Sequence, residues 1–433
     1  MIFFVSVLFF SFVLSYIASR KGKDFLFAGR SVGWLLMFGT LLGTQVGAGF
    51  LLGNSEAVWK FGWVGSFYGF GLALGLLGFG LGYAYKFRSF EVDTLPQLLK
   101  NRYKSGGFQR FSGLLSIISM AGVLVAHAVG LQKFLVSLGN GGNTIFFLCW
   151  VSVVVYTTLG GFLAVVWTDV VQALLILATL GVMVVQIFVP YTPEIISEAI
   201  RIPCSIDQDI FSTLFIPTCF IFIAPHMIQR CSAARTPRDA SRAFVATAVA
   251  LCILAFVPLC CGLLASYLHL SPDQGALFMQ VAKALASPLV FSCAAIAVLL
   301  ALISTTSSVL LAITGNIVRD TGVGHGKEKM ITALIGLGAY GISFLSQDIV
   351  GWLIASYEIC VVTLFVPVLM AVYSRRFVLP VRAAWAAVGY GIVGLLSRSY
   401  VGWVAPVFPL FLSACGYWIH SRAVALRSEV VVE

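Results

Sequence analysis

The chain has 433 residues, of which 60% are hydrophobic and only 10% carry a charge, whereas soluble domains carry about 25% charged residues. Its mean hydropathy of +0.99 excludes a soluble globular protein, because too few polar residues are present to cover an apolar interior. The net charge of +10 would suit a nucleic-acid ligand, but the positions of the basic residues give another explanation.

Apolar runs long enough to cross a bilayer, about 20 residues each, recur along the whole chain and predict an all-α membrane protein with about 13 transmembrane helices. The predicted spans are residues 2–18, 32–56, 63–85, 111–137, 143–160, 165–189, 209–228, 243–267, 287–317, 330–346, 349–373, 380–397 and 401–420. Between the third and fourth spans, a leucine face at Leu95, Leu98 and Leu99 predicts a short helix resting on the membrane surface.

The Lys and Arg residues predict the orientation of these spans. When the connections are sorted alternately, the 27 basic residues fall on one side, with the exceptions of Lys60, Lys133, Arg201, Lys283 and Arg398. Because cytoplasmic loops are enriched in Lys and Arg, we expect the N-terminus outside and the C-terminus in the cytoplasm. The basic excess is then a topology signal, and we expect no nucleic-acid partner.

The segment LLGTQVGAGFLLG, residues 41–53, interrupts the second span with glycines and with the polar Thr44 and Gln45. A seam of small residues packed against a neighbouring helix would explain the glycines, but it would not explain the polar pair. Unpaired backbone groups are costly in lipid, so an interruption indicates that something uses them. We therefore predict a helix broken near residues 43–47, whose bared carbonyls could bind a cation.

Five consecutive hydroxyl residues, Ser304 to Ser308, lie inside the span near residues 287–317. One or two hydroxyls would be explained by hydrogen bonds to carbonyls of their own helix, but five in a row surround it. Hard cations take oxygen ligands. Hydroxyls from this helix and carbonyls from the broken helix therefore predict a sodium site.

Five segments, in this order, resemble the sodium:solute symporter family over nearly the whole chain. They are DFLFAGRSVGWLLMFGTLLGTQVGAGFLLGNSEAVWKFG, DTLPQLLKNRY, YTTLGGFLAVVWTDVVQ, APHMIQRCSAART and ISTTSSVLLAITGNIVRD. The resemblance implies a sodium-coupled symporter in the cytoplasmic membrane of a bacterium. It would import a small organic solute by alternating access, and an amino acid or similar compound fits better than a sugar. An enzyme is not expected, since no cluster of catalytic residues is evident.

The family implies a leucine-transporter-type fold with two inverted five-helix repeats, each beginning with a broken helix. In the second repeat, Pro217 and Pro225 would disturb the helix. The resulting organisation is an extra span and cytoplasmic linker (1–31), the first repeat (32–189), an external loop (190–208), the second repeat (209–373), and two C-terminal spans with a cytoplasmic tail (374–433).

The resemblance also assigns site residues by motif. The sodium-binding set is Gly43, Val46, Ala301, Ser304 and Thr305. The expected solute-binding set, placed by position, is Gln45, Gly49, Phe50, Asn54, His127, Phe220 and Glu358. The expected gating or structural set, near the cytoplasmic end, is Asp169, Gln172 and Arg230, with Arg230 paired to a carboxylate or carbonyl.

Several alternatives stay open on the sequence. Coupling to protons, with Glu358 or His127 as carrier, is one of them, and a sensor built on a transporter module is another. Glu358 could also lie near the external interface, and His127 could be a core histidine bonded to backbone. Beyond the solute, sodium and the lipid bilayer, no obligate protein partner is evident.

Overall fold

The computed structural model describes Leu26 and residues 28–202, 208–321, 326–397 and 407–430. Within these residues the regular elements are all helical, and the one extended pairing is an isolated bridge between Val32 and Ala234. The expectation of an all-α chain is thus confirmed. The first predicted span, residues 2–18, lies outside the described residues.

We number the α-helices of the described residues in chain order, and short 3-10 or π turns join several of them. They are α1 (Trp34–Gln45), α2 (Asn54–Phe61), α3 (Phe67–Gly78), α4 (Ala84–Ser89), α5 (Leu95–Tyr103), α6 (Gly106–Ser137), α7 (Asn143–Met183), α8 (Thr192–Arg201), α9 (Gln208–Phe220), α10 (Pro225–Ala233), α11 (Pro237–Leu254), α12 (Phe256–Tyr267), α13 (Leu277–Leu285), α14 (Pro288–Asn316), α15 (Glu328–Ile342), α16 (Ile349–Tyr373), α17 (Val381–Ser397) and α18 (Phe408–Val430).

Eight helical stretches of the described chain are long and apolar enough to cross a bilayer. One of them, Asn143–Phe188, covers two of the predicted spans, so the helix count cannot be read from length alone. The number of 13 spans and the inverted repeats remain predictions.

Helix α7 doubles back on itself at Gly161, where the backbone adopts φ 69° and ψ −180°. Twelve residues of straight helix would extend about 18 Å. The Tyr156 hydroxyl and Thr168 Oγ1, twelve positions apart, are instead 2.6 Å from each other. The two limbs of α7 therefore correspond to the predicted spans 143–160 and 165–189.

Helix α5 lies against protein, whereas its leucine face led us to expect a helix resting on lipid. Leu95, Leu98 and Leu99 are buried, and α5 packs on α6 and α16. The Tyr103 hydroxyl donates a 2.8 Å hydrogen bond to the carbonyl of Pro367 in α16. An apolar face suits lipid or protein equally well, so the sequence pattern could not distinguish the two.

Two of the predicted spans are interrupted near their middle. Helix α1 ends at Gln45, and Val46 takes φ −82° and ψ 69°, outside the helical region. The helix resumes through a π turn at Gly49–Gly53. Helices α9 and α10 are separated by residues 221–224. The break expected near residues 43–47 is confirmed, and the second helix is interrupted before Pro225. Helix α9 continues through Pro217, so the expected disturbance at that proline is not a break.

Helix α14 lies at the centre and is almost entirely buried inside the protein. It contacts α1, α6, α7 and α10, and so brings its hydroxyl residues against the break in α1. The chain before α1 is joined to the chain after α10, because the Val32 N–H donates to the Ala233 carbonyl at 3.1 Å and the Arg235 N–H to the Val32 carbonyl at 2.8 Å.

Candidate ion and solute site

The break in α1 meets the hydroxyl residues of α14 directly. Thr305 Oγ1 donates to the Thr44 carbonyl at 2.8 Å and to the Ala301 carbonyl at 3.1 Å. A Cβ on Gly43 would lie 3.3 Å from Ser304 Oγ. At Val46, the ψ of 69° turns the carbonyl away from the helical direction. The structure thus brings Gly43 close to Ser304, and Thr305 to the end of α1 and to Ala301, while Val46 follows as the first residue after α1. The assignment of these residues to sodium remains a prediction.

The two hydroxyls in this set have the right donor–acceptor state for a cation. Each hydroxyl has one hydrogen and two lone pairs. Ser304 donates its hydrogen to Asp169 Oδ1 at 2.6 Å, and Thr305 donates its hydrogen to backbone carbonyls. Both oxygens therefore keep lone pairs for a cation, and the residues present fit a small hard cation.

A buried ion pair adjoins this region. Arg230 Nη2 on α10 and Asp169 Oδ2 on α7 are 3.0 Å apart, and both side chains are 0% exposed. Thr40 Oγ1 donates to Asp169 Oδ2 at 2.6 Å. Because Ser304 occupies the other carboxylate oxygen, the charge of Asp169 is hydrogen-bonded on both sides. This ion pair joins α7 to α10 and, through the hydroxyls, to α1 and α14.

Further hydroxyls complete the guanidinium contacts. Arg230 Nη2 also donates to Ser308 Oγ at 2.6 Å and to Thr44 Oγ1, and Nη1 donates to the His226 carbonyl at 3.2 Å. The pairing of Arg230 with a carboxylate agrees with the expectation, but Thr40 and Ser308 were missing from the expected set. Thr40 lies one helical turn before Thr44, so helical spacing places it on the same face. Gln172 lies outside this cluster, and its buried amide has no hydrogen-bond partner in the described structure.

Four of the expected solute residues lie close to the break. Gln45 Nε2 is 3.8 Å from the sulfur of Met227 on α10. A Cβ on Gly49 would lie 2.9 Å from the Tyr68 hydroxyl. The Phe220 ring stacks on Tyr357 with a centroid distance of 3.9 Å. The fourth, His127, has Nε2 2.7 Å from the position of a Cβ on Gly47.

The side chains of the remaining three expected solute residues face other parts of the protein, with the Phe50 ring and the Asn54 amide near Gly69. Phe50 and Asn54 are buried, and the Asn54 amide, without a hydrogen-bond partner among the described residues, faces Gly69 of α3. Glu358 lies on the wall of an open cavity of about 900 Å³. The cavity reaches Gly53, at the end of the π turn by which the interrupted helix resumes. Its charged lining residues are Glu56, Lys60, Lys133, Asp273, Asp348 and Glu358.

One ion pair crosses the wall of this open cavity. Lys133 Nζ on α6 is 2.6 Å from Glu56 Oε2 on α2, and both side chains are mostly buried. The other carboxylate oxygen of Glu56 is buried without a hydrogen bond in the described structure. The pair therefore ties the second half of the interrupted helix to α6.

The broken helices, the central hydroxyl helix and the open cavity together describe a membrane transporter. Residues 25–372 match the model of the sodium:solute symporter family, which is most of the chain. The protein therefore belongs to the sodium:solute symporter family, and the resemblance read from its motifs is confirmed.

Individual relatives are distant. The sodium/pantothenate symporter of Escherichia coli is 25% identical over 273 residues, which cover 57% of this chain and 56% of that protein. The high-affinity proline transporter PutP of Bacillus subtilis is 27% identical over 341 residues, covering 71% and 70% respectively. The matched part thus spans little more than half of the pantothenate symporter.

Two solved structures share the fold. A substrate-bound, outward-open Na⁺-coupled sialic acid symporter superposes with a TM-score of 0.76 at 16% identity, covering 97% of each chain. Mhp1, a nucleobase-cation-symport-1 family transporter in a closed conformation, gives a TM-score of 0.61 at 14% identity, covering 94% of this chain and 95% of that chain. At these identities the likeness concerns the fold alone.

Proposed function

We propose that the protein is a sodium-coupled symporter that imports a small organic solute, an amino acid or similar compound, by alternating access. The observation that carries the proposal is the meeting of the broken end of α1 with Ser304 and Thr305 of α14. Relatives named for sodium-coupled pantothenate transport and for proline transport support the same class of activity.

Sodium would be bound by the carbonyls of Gly43, Val46 and Ala301 and by the hydroxyls of Ser304 and Thr305. All five ligands are neutral, so the occupied site would carry the positive charge of the ion. An inward sodium gradient then supplies about 2.3 kcal/mol per charge per 100 mV from the electrical part alone.

The solute would bind beside the ion, between the two interrupted helices. Gln45 and His127 offer polar contacts there, and the stacked pair Phe220 and Tyr357 offers an apolar wall. The open cavity leads towards this region from the end of the bundle that carries Lys60 and Lys133. Both belong to the small external set of basic residues, so we infer that the cavity faces outside.

The ion pair of Asp169 and Arg230 would close the path from the site towards the cytoplasm. It links α7 and α14 on one side to α1 and α10 on the other. Opening to the cytoplasm would require these contacts to separate, so we assign the two charged residues to the inner gate. Gln172, one turn from Asp169 on α7, would belong to the same gate.

Uptake into proteoliposomes tests the proposal. Labelled proline, pantothenate and choline are offered with an inward gradient of sodium or of potassium, to the wild type, to the double variant Ser304→Ala/Thr305→Ala, and to Ser292→Ala. Ser292 is an exposed residue of the same helix, bonded only to the Pro288 carbonyl among the described contacts. We expect sodium to stimulate uptake in the wild type and in Ser292→Ala only. A double variant that keeps the full sodium response would refute the site.

A further inference from the structure

His127, on α6, holds a hydrogen-bond acceptor that nothing in the described protein uses. Its Nδ1 is 2.8 Å from the carbonyl of Val123. A carbonyl can only accept, so Nδ1 carries the hydrogen. In the neutral ring Nε2 then has no hydrogen, and its lone pair can accept a hydrogen bond. That Nε2 is buried and has no hydrogen-bond partner among the described residues, while the whole residue is 4% exposed.

The lone pair points into the break of α1. A Cβ built on Gly47 would lie 2.7 Å from His127 Nε2 and still closer to Thr305 Oγ1. The imidazole and the proposed sodium ligand thus border the same small space, which only a glycine at position 47 leaves open. A second imidazole nitrogen, Nδ1 of His226 near the start of α10, is also buried and unpartnered within the described structure.

The neighbouring protein groups cannot satisfy this acceptor. Thr305 has already given its only hydrogen to backbone carbonyls. A doubly protonated His127 would be a buried charge without an anionic hydrogen-bond partner in the described structure, which is costly inside a membrane. The sodium ion prefers oxygen ligands. The donor for Nε2 must therefore come from outside the described protein, and the space beside Gly47 is where it would sit.

We propose that the transported solute places an N–H or O–H group on Nε2 of His127, directly beside the sodium site. This inference rests on the proposed symport function and names the class of solute that the site selects. Solutes with a primary or secondary amine or a hydroxyl are accepted. Solutes in which that group is fully methylated lose the contact, because a buried acceptor left without a donor opposes binding.

Matched ligand pairs test the inference on the unaltered protein. The melting temperature of the purified full-length protein is measured in sodium buffer with proline or N,N-dimethylproline, and with choline or its O-methyl ether. The first pair reports on an N–H donor and the second on an O–H donor. We expect a donor-bearing compound to stabilise the protein and its methylated partner to bind about tenfold or more weakly. Equal binding of a stabilising compound and its methylated partner overturns the inference, and so does a panel in which no donor-bearing compound stabilises.

Variants at His127 provide a second test of the inference. His127→Phe removes the acceptor, whereas His127→Gln offers an amide oxygen in its place. His420→Phe is the matched control, because His420 makes the same bond from Nδ1 to the carbonyl four residues earlier but lies on α18. We expect Kd for the donor-bearing probe to rise about tenfold in His127→Phe, with partial recovery in His127→Gln and no change in His420→Phe. An unchanged Kd in His127→Phe overturns the assignment.

Stabilisation by sodium without any solute separates this inference from the proposed function. Sodium should raise the melting temperature of the wild type relative to potassium at equal ionic strength, and the His127→Gln variant should keep that shift. Loss of the sodium shift in the wild type itself would contradict sodium coupling. A retained sodium shift with no difference between the paired ligands would contradict the role of His127 alone.

Discussion

Thr305 Oγ1 donates a 2.8 Å hydrogen bond to the carbonyl of Thr44, a residue 261 positions earlier in the chain. The bond ties the last turn of α1 to the middle of α14. It uses one of the carbonyls that the interrupted helix leaves without an internal partner. The lone pairs of Thr305 Oγ1 remain for the proposed ion, so the same bond that joins the helices would also orient the proposed site.

The buried ion pair gives the first prediction. Asp169→Asn leaves the Arg230 charge buried without its carboxylate, so we expect the free energy of unfolding to fall by about 3–5 kcal/mol. A melting curve in detergent measures the loss, and Arg230→Met in the same background should recover part of it. The control is Arg235→Ala, whose exposed pairing with Asp239 at 3.5 Å is worth about 0–1 kcal/mol. Equal effects of Asp169→Asn and Arg235→Ala would contradict the assignment.

Gly47 gives the second prediction. A methyl group at this position would overlap Thr305 Oγ1 and crowd His127 Nε2, so Gly47→Ala should displace a ligand of the proposed ion site. We expect a loss of sodium affinity of roughly tenfold or more, since shifts of about 1 Å are costly in such sites. Gly338→Ala is the control, because a Cβ there meets nothing within 4 Å. Sodium titration of solute uptake measures both, and a normal sodium response in Gly47→Ala would count against the site.

The pair that crosses the cavity wall gives the third prediction. Lys133→Met leaves the mostly buried carboxylate of Glu56 without its cation, and we expect a loss of about 1–3 kcal/mol of stability. The double variant with Glu56→Gln should recover much of this loss, because the uncompensated charge is then removed. Lys60→Met, at an exposed position on the same cavity, should change little. Melting temperatures of the wild type, these three variants and the single variant Glu56→Gln form the comparison, and a double variant that loses the sum of the two single losses would disprove coupling of the pair.

The turn inside α7 gives the fourth prediction. Gly161 adopts φ 69° and ψ −180°, a region that costs a residue with a Cβ about 1–3 kcal/mol. Gly161→Ala should therefore lower the melting temperature, whereas Gly181→Ala on the same helix, where a Cβ meets nothing within 4 Å, should be neutral. If the two variants have the same melting temperature, the backbone conformation at Gly161 does not require glycine, and the prediction is wrong.

The sequence predicted those features that have a local cause. Glycines and polar residues inside an apolar span located the break at Val46, and a run of hydroxyls located the facing part of α14. The resemblance to the family predicted that Asp169 and Arg230 lie at the same end of the fold. Each of these signals is visible within a window of a few residues.

Features that depend on the pairing of distant segments could not be predicted in the same way. Periodicity does not predict that Thr40 and Ser308 both accept hydrogen bonds from the guanidinium of Arg230, at 3.2 Å and 2.6 Å, because they are far apart in the chain and both could bond to their own helix. It does not state whether the leucines of α5 meet lipid or protein. It also gave no reason to separate Asn54, which faces Gly69 of α3, from the residues at the break.

The short bridge between Val32 and Ala234 has a mechanical consequence. Because it joins the start of α1 to the end of α10, we expect these two half-helices to move together. If the two half-helices swing as a unit, the two bonds of the bridge persist, while the bonds of Arg230 and Thr40 to α7 and α14 are exchanged. A crosslink across the bridge should then leave turnover intact.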